Sequence, residues 1–458
     1  MNLILLSGGS GKRLWPLSNE SRSKQFLKVL QNEKREPQSM VQRVWEQLKS
    51  LDLHSSTVIA TSKSQVETIQ AQLNHEASLV IEPSRRDTFP AIALAVAYLY
   101  SVKKIDESSV VGVLPVDPYV ESEFFSKIIE LERVLEKTDA DIGLVGVRPT
   151  LPSSKYGYIV PSVIGKQYLK VEKFIEKPNE HEAQNLVDIG ALWNCGVFAF
   201  KLKYILSFLE DMGYPTEYNE LLEVYTELPK ISFDYEVVEK AKKIIVLPYS
   251  GYWKDLGTWN TLTEEMASFQ IGKGIISDNS INSHLINELD IPITVLGTKN
   301  IIVAASADGI LVSDKKSSPK IKDYISNFDN PPMYEERKWG WSKILDYTKN
   351  SEGKEVITKK ICLKKNMNLS YQFHNKRTEL WTVIKGKGIV ALNGNFRNVY
   401  AGDVIQIDTG DNHALKALSE LEIIEIQCGV EVIEEDVIRI CNEWFEIEKE
   451  CSKSIVKR

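Results

Sequence analysis

Cysteine is scarce in this chain. Five occur among 458 residues: Cys195, Cys362, Cys428, Cys441 and Cys451. The number is odd and no two form a C-x-x-C pair. A reducing cytosol is the expected compartment. Long apolar runs are missing too. No stretch approaches the roughly 18 to 20 apolar residues that span a bilayer. The opening Met1–Gly9 has too short an apolar run, and no basic segment, for a secretory leader. A cytoplasmic protein with no membrane partner is expected. There is no basic excess either: 56 Lys and Arg stand against 63 Asp and Glu, a net charge of -7. Sequence-blind nucleic-acid binding needs a basic surface, so nucleic acid is not an expected partner. A small anionic substrate stays open, because a local pocket can be positive on an acidic protein.

What is present is ordinary globular material, 43% hydrophobic and 26% charged. The length is about that of three typical domains. Residues 1–265 alternate short apolar runs with amphipathic stretches. Leu3–Leu6, Thr57–Ala60, Val110–Leu114, Ile142–Val147 and Val197–Phe200 read as buried strands. Met40–Lys49, Ser64–Leu73, Pro90–Val102 and Phe124–Leu135 read as helices. Such alternation predicts an α/β domain with a mostly parallel sheet, whose ligands sit at the carboxyl ends of the strands. Residues 266–330 read as a short β-rich connector, for which β-helical coils are one form. Residues 331–458 hold further strands, including Val356–Leu363, Leu380–Lys385, Gly388–Leu392, Asp403–Ile407 and Ile423–Gln427. Turns such as Gly386-Lys387-Gly388 and Asn393-Gly394 join them, which suggests a sandwich or small barrel. The charged, periodic tail from Glu434 reads as a helix.

The strongest local signal is Leu6-Ser7-Gly8-Gly9-Ser10-Gly11-Lys12-Arg13-Leu14-Trp15-Pro16, directly after the first strand. Three glycines let the backbone approach a phosphate, and Lys12 and Arg13 add positive charge. It is neither a Walker loop nor G-x-G-x-x-G. A plain glycine turn with two solvated cations would read the same way. Lys24 follows soon after, within Lys24-Gln25-Phe26-Leu27.

Together these stretches resemble the signature of sugar-phosphate nucleotidyltransferases. The Leu14–Ser18 and Lys24–Leu27 details resemble the mannose-1-phosphate guanylyltransferase branch. Glu82-Pro83-Ser84-Arg85-Arg86-Asp87-Thr88 is similar to that branch's nucleotide-side segment, and Val113–Asp117 to its strand-end metal aspartate. Tyr156–Ile159, Phe174–Pro178 and Trp193–Phe198 resemble its sugar-phosphate pocket, with Asp234-Tyr235 and Trp253–Trp259 completing the set. Two departures stand out. Lys12 occupies a position that is often Thr, and Pro118-Tyr119 follows Asp117 where a His is usual.

The resemblance implies a Rossmann-like domain that moves GMP from GTP to mannose 1-phosphate, releasing pyrophosphate. It implies catalytic roles for Arg13, Lys24, Asp117 and Asp255, with the two aspartates holding Mg²⁺. Leu6, Gly8, Gly9, Ser10, Gly11, Lys12, Arg13, Arg85 and Asp87 would line the nucleotide. Whether Arg85 or Arg86 faces it stays open. Gly157, Glu176, Lys177 and Asn194 would hold the sugar phosphate. Another hexose 1-phosphate, another nucleotide, or a non-catalytic sugar-nucleotide sensor are the alternatives.

A second constellation lies in the tail. Gln372 and His374 alternate on one strand face, followed by Glu379 and the distant His413. The pattern resembles the metal site of cupins, and its context Tyr371–Val383 resembles the type II phosphomannose isomerase domain. The resemblance implies a cupin-like β-barrel whose Gln372, His374, Glu379 and His413 bind Zn²⁺ or another divalent ion. Ala414 stands where active isomerases usually carry Arg, and Val430-Glu431-Val432 replaces an aromatic Tyr-Leu-Gly. Active isomerase, metal-bound non-isomerase and purely structural barrel all remain open. A homodimer through the β-rich regions is compatible with the sequence, which contains nothing that requires one.

Overall fold

The computed structural model describes residues 1–9, 12–19, 21–163, 168–325, 332–350, 353–433 and 436–456. The chain forms two compact bodies. The first comprises Met1–Leu14, Ser23–Phe269 and Lys315–Pro319; the second comprises Trp15–Arg22, Gln270–Asp314 and everything from Lys320. The region 266–330, which the sequence presents as a separate connector, therefore groups largely with the C-terminal barrel. Trp15–Arg22, in the middle of the front motif, also belongs to the second body. Among the described residues, no helix is long and apolar enough to cross a membrane.

The first body is built on nine strands. They are β1 (Asn2–Ser7), β2 (Thr57–Ser62), β3 (Ser78–Glu82), β4 (Val110–Pro115), β5 (Ile142–Val147), β6 (Tyr158–Val163), β7 (Leu169–Ile175), β8 (Leu192–Lys201) and β9 (Ile244–Tyr249). Their order in the sheet is β3-β2-β1-β4-β8-β5-β9-β7-β6. The expected parallel pairing holds from β3 through β4 and between β5 and β9. Elsewhere the sheet is mixed: β8 runs antiparallel between β4 and β5, and β7 and β6 run antiparallel at the far edge. A strand buried on both faces is apolar in either direction, so its pattern carries no sense of polarity.

Helices cover this sheet. Helix α1 (Met40–Ser50) starts at a capping box, Ser39 with Gln42, and buries Val41, Val44, Trp45 and Leu48. That face shares one core cluster with Phe124, Phe125 and Ile128. Helix α2 spans Val66–Gln72. Helix α3 (Thr88–Ala97) is apolar all round and buried from Phe89 to Ala97, in a second cluster. Because β1 lies between β2 and β4, the chain segments after all three strands leave from one edge of the sheet. That edge is where the front motif and Asp117 fall.

In the second body, residues 270–306 wind into parallel β-coils. His284 pairs with Ile302 and Ile281 with Lys299, one coil later. Asn282 and Asn300 occupy the equivalent left-handed corners, at φ 48° and 53°, and Asn282 Nδ2 donates to Asn300 Oδ1 at 2.8 Å. Trp15–Arg22 is held here: Ser306 Oγ donates to the Pro16 carbonyl at 2.6 Å, and the Arg22 guanidinium forks onto Glu288 at 2.8 and 2.9 Å. The barrel follows as one six-stranded and one five-stranded sheet. Both supply its core, including Ile361, Trp381, Val390, Val399, Leu415 and Ile423. Asn393 and Gly394, at φ 49° and 82°, make the expected tight hairpin. The tail corrects the sequence reading. Val437–Cys441 is a strand, paired with Tyr371–His374, and only Trp444–Val456 is a helix. Val437–Cys441 carries one charge, Arg439, and its short apolar run is masked in the sequence by the charged residues on either side, Glu434–Asp436 and Glu443–Glu450.

Candidate functional sites

At the end of β1 the chain enters the glycine loop. Gly9 takes φ +114°, a conformation that favours glycine. Ser10 and Gly11 lie outside the described residues. Leu6 is half-buried and its carbonyl accepts from Val116 N–H at 3.2 Å, which ties the loop's start to the strand that delivers Asp117. Arg13 is exposed and Lys12 half-buried in the short turn that follows.

Asp117 and Asp255 are 138 positions apart in the chain, yet the fold joins them. Pro118–Val120 pairs antiparallel with Trp253–Asp255, and the register sets Asp255 opposite Pro118. Both carboxylates consequently converge on Lys24 Nζ, at 2.5 Å for Asp117 and 3.5 Å for Asp255. Burial works against the ammonium, but the two carboxylates outweigh it and raise the Lys24 pKa; Arg13 opposes them by its charge. At Gly257 a Cβ would stand 3.0 Å from both Asp255 oxygens, so glycine there keeps that carboxylate clear. Two carboxylates meeting at one cation position suit Mg²⁺, a hard ion that takes oxygen ligands.

The sugar-side residues also come together. Asn194 N–H donates to the Gly157 carbonyl at 2.8 Å, and Asn194 Nδ2 donates to Asp234 Oδ1 at 2.7 Å. Lys177, at φ 48°, pairs with Glu176 at 2.5 Å. Glu176 Oε2, Trp193 Nε1 and Trp253 Nε1 are buried with no protein partner. Buried polar atoms are normally satisfied, so these three are candidates to meet a polar ligand. Tyr156 packs on Trp193 and Trp253, with ring centroids at 4.7 and 5.7 Å. Burial first, and Asp255 second, push its hydroxyl up to about 12. Asp234 went without a role in the sequence reading. Burial, then the neighbouring Glu176, push it up to about 7. The resemblance flagged the stretch Asp234-Tyr235, and the tertiary fold shows what it meets, Asn194 and Glu176.

A Cβ on Gly157 would lie 2.3 Å from Glu176 Oε2, 3.0 Å from Phe174 and 3.3 Å from Asn194. Gly157→Ala is therefore expected to raise KM for the sugar phosphate at least about tenfold and leave KM for the nucleotide unchanged. Steady-state kinetics with each substrate varied in turn checks this.

The nucleotide-side segment resolves differently. Arg86 Nε donates to the Leu228 carbonyl at 2.8 Å, whereas Arg85 reaches Ser64 Oγ, at 3.3 Å, beside the end of β2. Asp87 caps α3 by accepting from Thr88 N–H at 2.8 Å. Its backbone, φ 71° and ψ -173°, is a strained conformation for any residue but glycine, of the kind that clusters at ligand sites.

In the barrel, one ligand atom each from His374, Glu379 and His413 falls within 4.8 Å of the others, all three side chains being buried. His374 Nε2 is 3.0 Å and His413 Nε2 3.7 Å from the Glu379 carboxylate. His413 Nδ1 lies 2.8 Å from the Asp411 carbonyl and so carries the proton, which leaves Nε2 as a buried lone pair with no hydrogen-bond partner. The donor set fits a divalent cation. Gln372 is adjacent, but its Nε2 is the atom facing His374, at 3.4 Å, while its Oε1 accepts from Ser370. An amide turn would be needed before Gln372 could ligate. Sequence reasoning missed Glu425 and Gln427. Trp381 Nε1 and Gln427 Nε2 each donate to both Glu379 and Glu425, at 3.0–3.1 Å. Burial and then Glu379 push the Glu425 carboxyl up.

Comparisons with known proteins bear on the family and the fold. The family profile described as Nucleotidyl transferase matches residues 2–270. A second, described as Mannose-6-phosphate isomerase C-terminal, matches residues 333–442. The mannose-1-phosphate guanylyltransferase of Salmonella muenchen is 29% identical, over 95% of this chain and 97% of that protein. The xanthan biosynthesis protein XanB of Xanthomonas campestris pv. campestris is also 29% identical, over 95% and 97%. A crystal structure from Thermus thermophilus, described as a mannose-1-phosphate geranyltransferase, aligns with TM-score 0.61 and 27% identity, covering 72% of this chain and 99% of that one. With its profile matched over more than half the length, and a glycine loop, a lysine and two aspartates assembled at one sheet edge, the chain belongs to the nucleotidyl transferase family.

Proposed function

We propose that the first body transfers GMP from GTP to α-D-mannose 1-phosphate, giving GDP-mannose and pyrophosphate. The observation that carries this reading is the convergence of Asp117 and Asp255 on Lys24, beside the glycine loop. The name of the Salmonella relative supports the branch. A phosphate oxygen of the sugar phosphate attacks the α-phosphorus of GTP, and the bond to the β-phosphate oxygen breaks in line. Such transfers depend on alignment and charge neutralisation rather than on covalent help. Asp117 and Asp255 would hold Mg²⁺, which supplies charge neutralisation at the phosphates. Lys24 offsets charge developing at the α-phosphate. Arg13 and the Gly8–Gly9 backbone hold the leaving phosphates, and Arg85 faces the nucleotide. Lys177 pairs the sugar phosphate while Glu176, Asn194 and Asp234 take hydroxyls. All five cysteines are free, which supports a reducing, cytoplasmic setting.

Pyrophosphate release with Mg²⁺ and mannose 1-phosphate, run in parallel with GTP, ATP, UTP and CTP, tests the reading. Release with GTP alone is expected. Release only with another nucleotide would overturn the branch, and silence with all four, across several sugar 1-phosphates, would favour a sensor.

The barrel supports a second reading, carried by the orphaned His413 Nε2. His374, Glu379 and His413 would hold Zn²⁺ or another divalent ion, and Arg377, buried against Glu379 at 3.1 Å, would meet an anionic ligand. Stripping the metal with a chelator is expected to lower the melting temperature of the second body by about 5 to 10 °C, restored by added Zn²⁺ or Co²⁺. An unchanged melting curve would leave the barrel structural. Exchange between fructose 6-phosphate and mannose 6-phosphate in the same samples reads out isomerase activity.

A further inference from the structure

Beneath the glycine loop lies a sealed cluster of polar side chains, of which only Ser7 and Gln25 belong to the motifs of the sequence. Ser7, Ser23, Gln25, Thr61 and Gln65 are each 1% exposed or less. Gln65 is their hub, in the turn between β2 and α2. Its Nε2 donates to Ser23 Oγ at 2.8 Å, and Ser23 Oγ donates to the Gly9 carbonyl at 3.1 Å. Its Oε1 accepts from Gln25 Nε2 and Thr61 Oγ1 at 3.3 Å and from Ser7 Oγ at 3.4 Å. One amide thus ties together the end of β1, the end of β2, the loop at Gly9 and the turn that carries Lys24.

The direction of this relay follows from counting protons. A serine hydroxyl has one to give. Ser23 can give it to Gly9 because Gln65 presents a donor to its oxygen. An acceptor in that place would draw the proton away and free the carbonyl. Gly9 has no side chain and sits at φ +114°, so no side chain of its own steadies the peptide that Ser23 holds. Ser23 also opens the turn Lys24–Phe26, so the bond that holds the loop holds it in register with Lys24.

We propose that Gln65 is a positioning residue for nucleotidyl transfer, acting through Ser23 on the Gly9 carbonyl. The inference rests on the nucleotidyl-transfer reading above. Gln65→Glu keeps the side-chain shape and turns the donor into an acceptor; Ser23→Ala removes the link itself. Steady-state kinetics of both, and of the double variant, with GTP and mannose 1-phosphate tests the relay. Each single substitution is expected to lower kcat/KM for GTP at least about tenfold, partly through a higher KM, with KM for mannose 1-phosphate within twofold. The double variant is expected to be no worse than the poorer single one, since both cut the same relay. Unchanged KM for GTP, or losses that multiply, would overturn the proposal in favour of a general packing role. Should Gln65→Glu fail to fold, Gln65→Met, which removes the donor without a buried charge, takes its place in the same comparison. Wild-type turnover with unaffected variants removes this proposal alone, whereas a wild type silent with every nucleotide removes the transfer reading and the proposal with it.

Discussion

Replacing Lys24 with methionine is expected to lower kcat about a thousandfold, with KM for mannose 1-phosphate changed no more than a few-fold. Lys24 Nζ is the one cation that touches both Asp117 and Asp255 among the contacts described, at 2.5 and 3.5 Å. A cation held in place before the reaction stabilises charge that develops at the α-phosphate, and removal of one such group typically costs a hundredfold to a thousandfold or so. The stability effect is expected to be small by comparison. The three side chains are 19%, 24% and 32% exposed, and water screens partly exposed pairs to about 1 kcal/mol or less. Rate and stability therefore separate: pre-steady-state pyrophosphate release should collapse while the unfolding curve moves little. Turnover within tenfold of wild type in a folded Lys24→Met protein would sink the assigned role.

The second large effect concerns pH. Asp234 is held protonated up to about pH 7, by burial first and by the nearby Glu176 second. In the unfolded chain an aspartate ionises near pH 4. Between those values the folded protein binds a proton that the unfolded chain has released. Stability from this group is therefore fully present below about pH 4 and is lost as pH rises through about 7. A shift of this size corresponds to about 4 kcal/mol at most, and the side chain's partial opening to the pocket makes that an upper bound. Asp234→Asn keeps the shape and the Asn194 hydrogen bond but cannot ionise. Denaturant unfolding of the first body at pH 5, 6, 7 and 8 should show a decline in the wild type that is absent from the variant, which becomes the more stable protein at pH 8. Parallel curves for the two would mean that Asp234 titrates normally. The same substitution should leave KM for GTP unaltered, because Asp234 belongs to the sugar side.

Local chemistry was legible wherever function demands a particular residue at a particular spacing. The glycine loop needs its glycines in sequence, because the backbone itself must approach the phosphates. Gly157, Glu176, Lys177 and Asn194 sit in short stretches singled out by their family resemblance, and the structure brings the four together. In the first body β3, β6, β7 and β9 went unread, whereas the five strands β1, β2, β4, β5 and β8 and the helices α1 to α3 were legible because apolar periodicity reports burial directly. The direction of β8 was not, since a strand buried on both faces looks the same either way round. Val437–Cys441 was hidden because a five-residue strand between the charged stretches Glu434–Asp436 and Glu443–Glu450 merges with the helix-like pattern of the tail.

Taken alone, then, the sequence determined the candidate groups: a glycine loop after the first strand, a lysine, two aspartates, the stretches around Gly157, Glu176 and Asn194, and a histidine-carboxylate set in the tail. Only the tertiary structure decided which of these groups meet. It took the Pro118–Val120 ribbon to set Asp255 beside Asp117, and the packing of β2 under the loop to put Gln65 against Ser23. It also decided protonation, since Asp234 and Glu425 owe their raised pKa values to burial beside another carboxylate. It divided the front motif as well, assigning Trp15–Arg22 to the second body while Gly8, Gly9, Arg13 and Lys24 stay in the first. The physical reason is the same in each case. Residue type and spacing encode interactions along a few neighbouring positions, whereas pairing, burial and the electrostatic field depend on segments that only the folded chain brings together.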